Sequence, residues 1–171
     1  LSVKETELSM ERRLGVSEDD MLYMQNNLGE TYRALGQDQH ALRLKQDVYS
    51  GRVKLNGEEH EITLVAASNY AVSLRDLRRF EEAKSLLRKT MPVARRVLGK
   101  GDQTTLRMRW VYAQSLCGDA NATLDDLREA VTMLEELERT ARRVFGAAHP
   151  ITSGIESSLQ VARRRENKFT I

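Results

Sequence analysis

The stretch "RVFGAAHPITS", residues 143–153, repeats a pattern that the chain has already used three times. The earlier versions are "RRLGVSEDDML" at residues 12–22, "KLNGEEHEITL" at 54–64 and "RVLGKGDQTTL" at 96–106. Their glycines lie 42, 42 and 47 residues apart. A nearly fixed period of this size is typical of stacked repeat arrays, in which each unit packs against its neighbours. The four glycines therefore indicate a solenoid.

Between the glycines, each unit contains two segments with helical periodicity. In residues 21–35 the apolar side chains recur at steps of three and four, which places them on one face of an α-helix. Residues 80–97 and 127–144 have matching stripes with the same steps, and short polar breakers separate the two halves of each unit. We predict an all-α superhelix of eight antiparallel helices, at residues 3–14, 19–35, 39–55, 61–77, 80–98, 103–117, 123–145 and 151–165, with fraying after 165.

These helices group into one array that spans the chain. We assign 19–56, 61–98 and 103–145 to three full repeats, 3–14 to the trailing helix of a truncated repeat and 151–165 to the first helix of a truncated fourth. The truncated ends predict self-association, because exposed apolar faces favour contact between chains. The side chains that we expect to be uncovered are Leu8, Ile155, Leu159 and Val161.

The second helix of the first unit has the least regular stripe. It carries Asp38, Lys45 and Arg52 where the other units are mainly apolar. Its packing is therefore predicted to depend on the apolar residues around these three, which are Ala41, Leu42, Leu44, Val48, Tyr49 and Leu55.

Small residues recur where the helices of one unit must approach each other. On the first helices they are Gly29, Ala71 and Ala113, and alanine also recurs early in the second helices. With the stretch "NNLGETYRALGQDQHAL", residues 26–42, this pattern resembles the tetratricopeptide repeat, in the 42-residue form found in kinesin light chains. The resemblance implies a protein-interaction scaffold whose first helices line a concave groove.

The resemblance also implies which side chains face that groove. An asparagine amide there can donate to and accept from a peptide backbone, an arginine can bind a carboxylate through two N–H groups, and a tryptophan can act as an aromatic anchor. Alternatively, Asn27 and Asn69 bond between neighbouring helices, and Trp110 belongs to the core. The candidate groove residues are Tyr23, Asn26, Asn27, Glu30, Arg33, Val65, Ser68, Asn69, Val72, Arg75, Asp76, Arg107, Trp110, Val111 and Gln114.

Composition and motifs argue against other classes of protein. The 171 residues include 27 basic and 25 acidic side chains, and the resulting net charge of +2 argues against nucleic-acid binding. We interpret the basic pairs at 95–96 and 142–143 as cations at helix C-termini, not as a phosphate-binding patch. No apolar run is long enough to span a membrane, and a single cysteine, Cys117, favours a reducing, cytoplasmic location.

The sequence contains no recognisable set of catalytic residues, no metal-ligand pattern and no cofactor-binding motif. Cys117 has no histidine base near it in the sequence, and the three histidines lack ligand partners at suitable spacing. We therefore predict a non-enzymatic scaffold that binds an extended peptide or a partner protein, within a larger signalling, sensor or cargo-adaptor protein. The alternatives are an oligomerisation or intramolecular regulatory array and, less favoured, a nucleic-acid-binding solenoid.

Overall fold

A computed structural model describes residues 15–169, which form seven α-helices and no strand. This confirms the all-α prediction for the described residues. No helix in this range is long and apolar enough to cross a membrane. The predicted helix at 3–14, with Leu8, lies outside the described residues. The helices are α1 (Glu18–Ala34), α2 (Asp38–Asn56), α3 (Glu61–Asp76), α4 (Phe80–Val97), α5 (Gln103–Gly118), α6 (Leu124–Phe145) and α7 (Pro150–Phe169).

Each helix packs on the next in sequence order, so α1–α2, α3–α4 and α5–α6 are hairpins stacked in a row. Among the first helices, α3 contacts α5 and α5 contacts α7, whereas the second helices α2, α4 and α6 do not contact one another. The stack therefore bends with its first helices on the inner side. The inner surface formed by α1, α3, α5 and α7 is called the first-helix face below.

The recurring glycine motif both ends and restarts the helices. Gly57 and Gly146 follow α2 and α6 with φ angles of 87° and 88°, a left-handed region that favours glycine. The histidine three residues later caps the next helix, because His60 Nδ1 accepts from the N–H of Ile62 and His149 Nδ1 accepts from that of Ile151. The two repeat-equivalent histidines thus have a structural role.

The last helix differs from the prediction in two respects. It continues to Phe169, because Arg165 holds it against the end of α5 by donating to the carbonyl oxygens of Cys117 and Asp119. Ile155 and Leu159 are buried, since α7 packs against α5 and α6. Of the three apolar side chains expected to be uncovered there, only Val161 is exposed.

Helix α2 forms despite its irregular stripe, but its packing is not purely apolar. Ala41, Leu42 and Val48 are buried as predicted, whereas Leu55 is 41% exposed. Lys45 is only 1% exposed and occupies the position of the fully buried Leu87 and Leu134 in the next two units. Arg52, also buried, donates to a carboxylate oxygen and the carbonyl oxygen of Asp19 on α1. Polar contacts to α1 therefore replace part of the apolar stripe.

Candidate functional site

A buried lysine organises the first unit of the first-helix face. The Lys45 side chain passes over Gly29, where an added Cβ would lie 3.0 Å from Lys45 Cε. Its Nζ donates to the carbonyl oxygen and to Oδ1 of Asn26, both at 2.9 Å, and forms an ion pair with Glu30 Oε1 at 2.7 Å. All three N–H groups of the ammonium thus have acceptors. Burial lowers the pKa of Lys45, and the Glu30 carboxylate opposes that effect.

From Asn26, hydrogen bonds continue across the next two units. Asn69 Nδ2 donates to Asn26 Oδ1 at 3.2 Å, and Arg107 Nη1 donates to Asn69 Oδ1 at 2.9 Å. The amide of Asn69 therefore bonds between neighbouring helices, as the alternative interpretation had it. Asn26 Nδ2 makes no hydrogen bond to residues 15–169, so one amide donor is available on this face.

Three arginines converge beside this chain of bonds. Arg107 is close enough to Arg33, Arg75, Glu30 and Asp76 for all four charges to act on it, but burial is the main reason that its pKa is lowered. Arg33 pairs with Glu30 at 3.1 Å, and Arg75 pairs with Asp76 at 2.6 Å. No carboxylate within residues 15–169 lies at ion-pair distance from Arg107. The cluster therefore holds one partly buried cation without an anionic partner in this part of the chain.

Glu30 forms ion pairs with two cations of this face, Lys45 and Arg33. Burial acts to raise the pKa of its carboxyl group, but the hydrogen-bonded ion pairs with Lys45 and Arg33 outweigh burial and hold the pKa below its usual range. The carboxylate consequently remains charged at neutral pH and keeps Lys45 paired.

Trp110 lies on the first-helix face in the third unit, where α5 meets α7. Its Nε1 donates to Ser158 Oγ at 2.9 Å, and Gln114 Nε2 donates to the same oxygen at 3.2 Å. Gln114 Oε1 in turn accepts from Arg75. The half-buried indole lies over Gly154 on α7, so it belongs partly to the core and partly to the face.

An apolar cleft of about 190 Å³ opens at the other end of the face, between α1 and α3. The backbones of these two helices lie farther apart than those of α3 and α5 or of α5 and α7. Tyr23, 63% exposed, borders the cleft together with Ile62 and Val65, which are 42% and 38% exposed. The first-helix face thus presents apolar side chains at one end and arginines toward its middle.

Some of the predicted groove residues do not reach the surface. Ser68, Val72 and Val111 are buried, because α3 and α5 are each packed between a helix before and a helix after them, which leaves a narrower exposed strip than the sequence suggested. Asn27 is exposed, and its side chain makes no hydrogen bond to residues 15–169. These placements remove three residues from the candidate surface.

Sequence reasoning missed two side chains that build the site. Lys45 comes from a second helix, and the only signal was its place in a leucine stripe. Ser158 lies on the last helix and accepts from both Trp110 and Gln114, a contact with no counterpart in the sequence pattern.

Metal binding and thiol chemistry gain no support from the described residues. Within residues 15–169, no three His, Cys, Asp or Glu side chains are grouped so that they could hold a metal ion. Cys117 is buried, and burial raises the pKa of its thiol. A buried thiol with a raised pKa is a poor nucleophile.

Comparisons with known proteins agree with this geometry. Residues 20–96 match the tetratricopeptide repeat family model. The fold is similar to that of a putative kinesin light chain with nearly identical TPR-like repeats from Podospora anserina, with a TM-score of 0.75, 21% identity, and coverage of 98% of this chain and 77% of that one. The structure of a glutamine-to-methionine variant of that protein gives a TM-score of 0.77 with the same identity and coverage.

A third solved structure, BtubC (BKLC) from P. vanneervenii, has a TM-score of 0.61 and 16% identity, and the match covers 99% of this chain and 72% of that one. Among curated proteins, none matches the sequence. At these identities the solved structures establish the fold and leave the ligand open.

Proposed function

We propose that this chain is a non-enzymatic scaffold whose first-helix face binds an extended acidic segment of a partner protein. In support, residues 20–96 match the tetratricopeptide repeat model, and the fold is similar to that of a kinesin-light-chain-like array. Tetratricopeptide arrays generally mediate protein–protein contacts, and the cluster around Arg107 suggests the chemistry of the ligand. A signalling, sensor or cargo-adaptor protein is the setting that we propose for it.

The observation that carries the proposal is the unpaired guanidinium of Arg107. A partly buried cation is stabilised by an anion, and the planar N–H groups of Arg107 suit a carboxylate better than a neutral acceptor. Arg33 and Arg75 flank it and are already partly neutralised by Glu30 and Asp76. An aspartate or glutamate of the ligand would therefore bind at Arg107 first.

The remaining contacts would orient the ligand along the face. The free Nδ2 of Asn26 is placed to donate to a backbone carbonyl of an extended peptide. Beyond it, Tyr23 and Val65 border the apolar cleft and would take an apolar side chain. The ligand should then have an apolar end near α1 and an acidic end near α5.

A fluorescein-labelled peptide of about ten residues, long enough to cross three units at about 3.3 Å per residue, tests this arrangement. Its apolar residues occupy one half and its glutamates the other, and a second peptide of equal composition alternates them. We expect the first peptide to bind more tightly in fluorescence anisotropy. Equal affinity of the two peptides would contradict an ordered apolar-to-acidic face.

Two variants locate the binding surface. Arg107→Gln should weaken the first peptide by roughly tenfold or more, since truncating one partner of a partly buried charge pair costs about 2 kcal/mol or more. Arg33→Glu with Arg75→Glu should abolish binding without loss of helix content. Arg128→Gln, an exposed change on α6, is the matched control. If the control weakens binding as much as Arg107→Gln, the peptide is responding to net charge alone.

Self-association is a second candidate function, favoured by the exposed Val161 and Phe169 on α7. Sedimentation velocity should then detect a dimer at high concentration, and Val161→Lys should return it to monomer. We place either activity in the cytoplasm, where a free thiol such as Cys117 stays reduced. A wild-type protein that stays monomeric would leave the peptide-binding proposal unaffected.

A further inference from the structure

The opposite side of the array carries a groove between the second helices α4 and α6, with Arg109 and Tyr112 of α5 at its floor. Two adjoining clefts of about 630 Å³ each open along it, and both are bordered by Arg95 and Arg109. Because α4 and α6 do not contact each other, the space between them is open. This surface is called the outer groove below.

Basic side chains dominate the outer groove. Seven of its lining residues are arginine or lysine, and two are glutamate. The whole chain carries a net charge of only +2, so the positive charge is concentrated here. A groove lined by one sign of charge attracts ligands of the opposite sign.

Most of these cations are not used by the fold. Arg95, Lys100, Arg139 and Arg143 form no salt bridge within residues 15–169. Only Arg109 has an acidic partner inside the outer groove, Glu136 at 2.7 Å. Four positively charged side-chain groups around one opening are therefore available to an anionic ligand.

Helix stabilisation accounts for only part of this charge. Arg95 and Arg143 lie in the last turns of α4 and α6, where cations complement the helix dipole, but Arg139 does not. The first unit has valine, Val53, at the position of Arg95 and still forms its helix. The repeat architecture thus tolerates an uncharged residue at that position.

One end of the outer groove is apolar. Met91 and Pro92 of α4 and Met133 of α6 border it beside the ring of Tyr112, whose hydroxyl accepts from Arg88 Nε at 3.1 Å. Methionine side chains adapt to ligands of different shape. This end suits an apolar side chain, a group that an acidic peptide can carry.

We propose that the outer groove is a second protein-binding site, which takes an acidic peptide segment with its carboxylates on Arg95, Arg139 and Arg143 and an apolar side chain between Met91 and Met133. The site is separate from the first-helix face. Glu129 and Glu136 also line the outer groove and would repel the evenly spaced phosphates of a nucleic acid. A peptide avoids this repulsion because it can place uncharged residues opposite the two glutamates.

The test uses the full chain carrying Arg107→Gln, so that the first-helix face contributes little. The probe is a fluorescein-labelled peptide of about twelve residues that is rich in glutamate and contains two leucines, measured by anisotropy at low salt. Arg95→Gln with Arg139→Gln should weaken it about tenfold, as expected for the loss of two charge pairs. The matched control, Arg43→Gln with Arg164→Gln, removes the same charge from exposed residues outside the outer groove.

A second arm tests the apolar end. Replacing the two leucines of the probe with serine should weaken binding roughly fivefold, for about 1 kcal/mol of partly buried apolar surface. Three results would each overturn the proposal. They are an equal loss of affinity in the outer-groove variant and its control, no binding at about 1 mM probe, and an unchanged affinity of the serine peptide. Tighter binding of an oligothymidylate of the same length would overturn it in favour of a nucleic-acid site.

Discussion

Replacing Glu30 with glutamine should destabilise the first hairpin more than replacing its buried partner Lys45 with leucine. Lys45 is 1% exposed, whereas the Glu30 side chain is 41% exposed. Glu30→Gln therefore leaves a buried ammonium without its carboxylate. Lys45→Leu instead leaves a carboxylate that water and Arg33 can still stabilise, and it restores the leucine that the next two units have at this position.

The structure sets the expected size of the effect. Removing one partner of a buried ion pair costs about 3–5 kcal/mol when the other charge stays buried. Here Lys45 keeps both acceptors of Asn26, and Glu30 is partly solvated, so we expect about 2–3 kcal/mol for Glu30→Gln. For a chain of this length that lowers Tm by about 4–12 °C. Lys45→Leu should stay within about 1 kcal/mol of the wild type.

Urea unfolding followed by far-ultraviolet circular dichroism measures these differences, and the fluorescence of Trp110 follows the third unit separately. The control is Arg33→Gln, which removes only the exposed pair to Glu30 and should cost less than about 0.5 kcal/mol. The double variant Glu30→Gln/Lys45→Leu should match Lys45→Leu alone. If Lys45→Leu loses more than about 3 kcal/mol while Glu30→Gln loses nothing, the reasoning is refuted.

Three further predictions concern a buried hydroxyl, a close approach between helices and a helix cap. Ser68→Ala removes a buried hydroxyl with no hydrogen-bond partner within residues 15–169, so urea unfolding should show a free energy that is unchanged or higher; a loss above about 1 kcal/mol would contradict this. Gly154→Ala places a Cβ 2.4 Å from the Trp110 ring, so we expect a loss of about 1–3 kcal/mol and red-shifted fluorescence, and an unshifted spectrum would count against it. The Thr123 hydrogen bonds lower the pKa of Asp126, so this group stabilises the fold above its usual pKa of about 3.9, and that contribution is lost as pH falls through the lower folded-state value. In thermal unfolding at several pH values, Asp126→Asn should reduce the loss of unfolding free energy at acid pH by about 1 kcal/mol. An unchanged pH dependence would show that Asp126 does not contribute to it.

The sequence was sufficient to predict the helical solenoid because its signals are local. A glycine in the left-handed region ends a helix, and a stripe with steps of three and four selects the buried side, whatever the rest of the chain does. Helix α5, for example, begins at Gln103, the first residue of the predicted helix. The extension of α7 to Phe169 could not be predicted in this way, because it depends on Arg165 reaching the end of α5.

The candidate site was only partly predictable, because it depends on how far side chains reach between units. Lys45 breaks an apolar stripe in the sequence, and nothing local indicates that its ammonium crosses Gly29 to Asn26. Ser68 has the sequence position of a groove residue but is buried, because helices pack on both sides of α3. The reach of Lys45 and the burial of Ser68 both depend on the distance between neighbouring helices, and a repeat pattern in the sequence gives no information about that distance.

Comparison of equivalent repeat positions separates what the fold needs from what a ligand could use. The position of Tyr23 on α1 holds Val65 on α3 and Arg107 on α5. The solenoid therefore accepts an aromatic, an aliphatic or a cationic side chain there, whereas the ring of Trp110 keeps the fourth equivalent position, Gly154 on α7, free of a side chain. Because architecture does not select among the first three, their order along the first-helix face is free to match a ligand, and the change from apolar to cationic is the property that a bound peptide would sense.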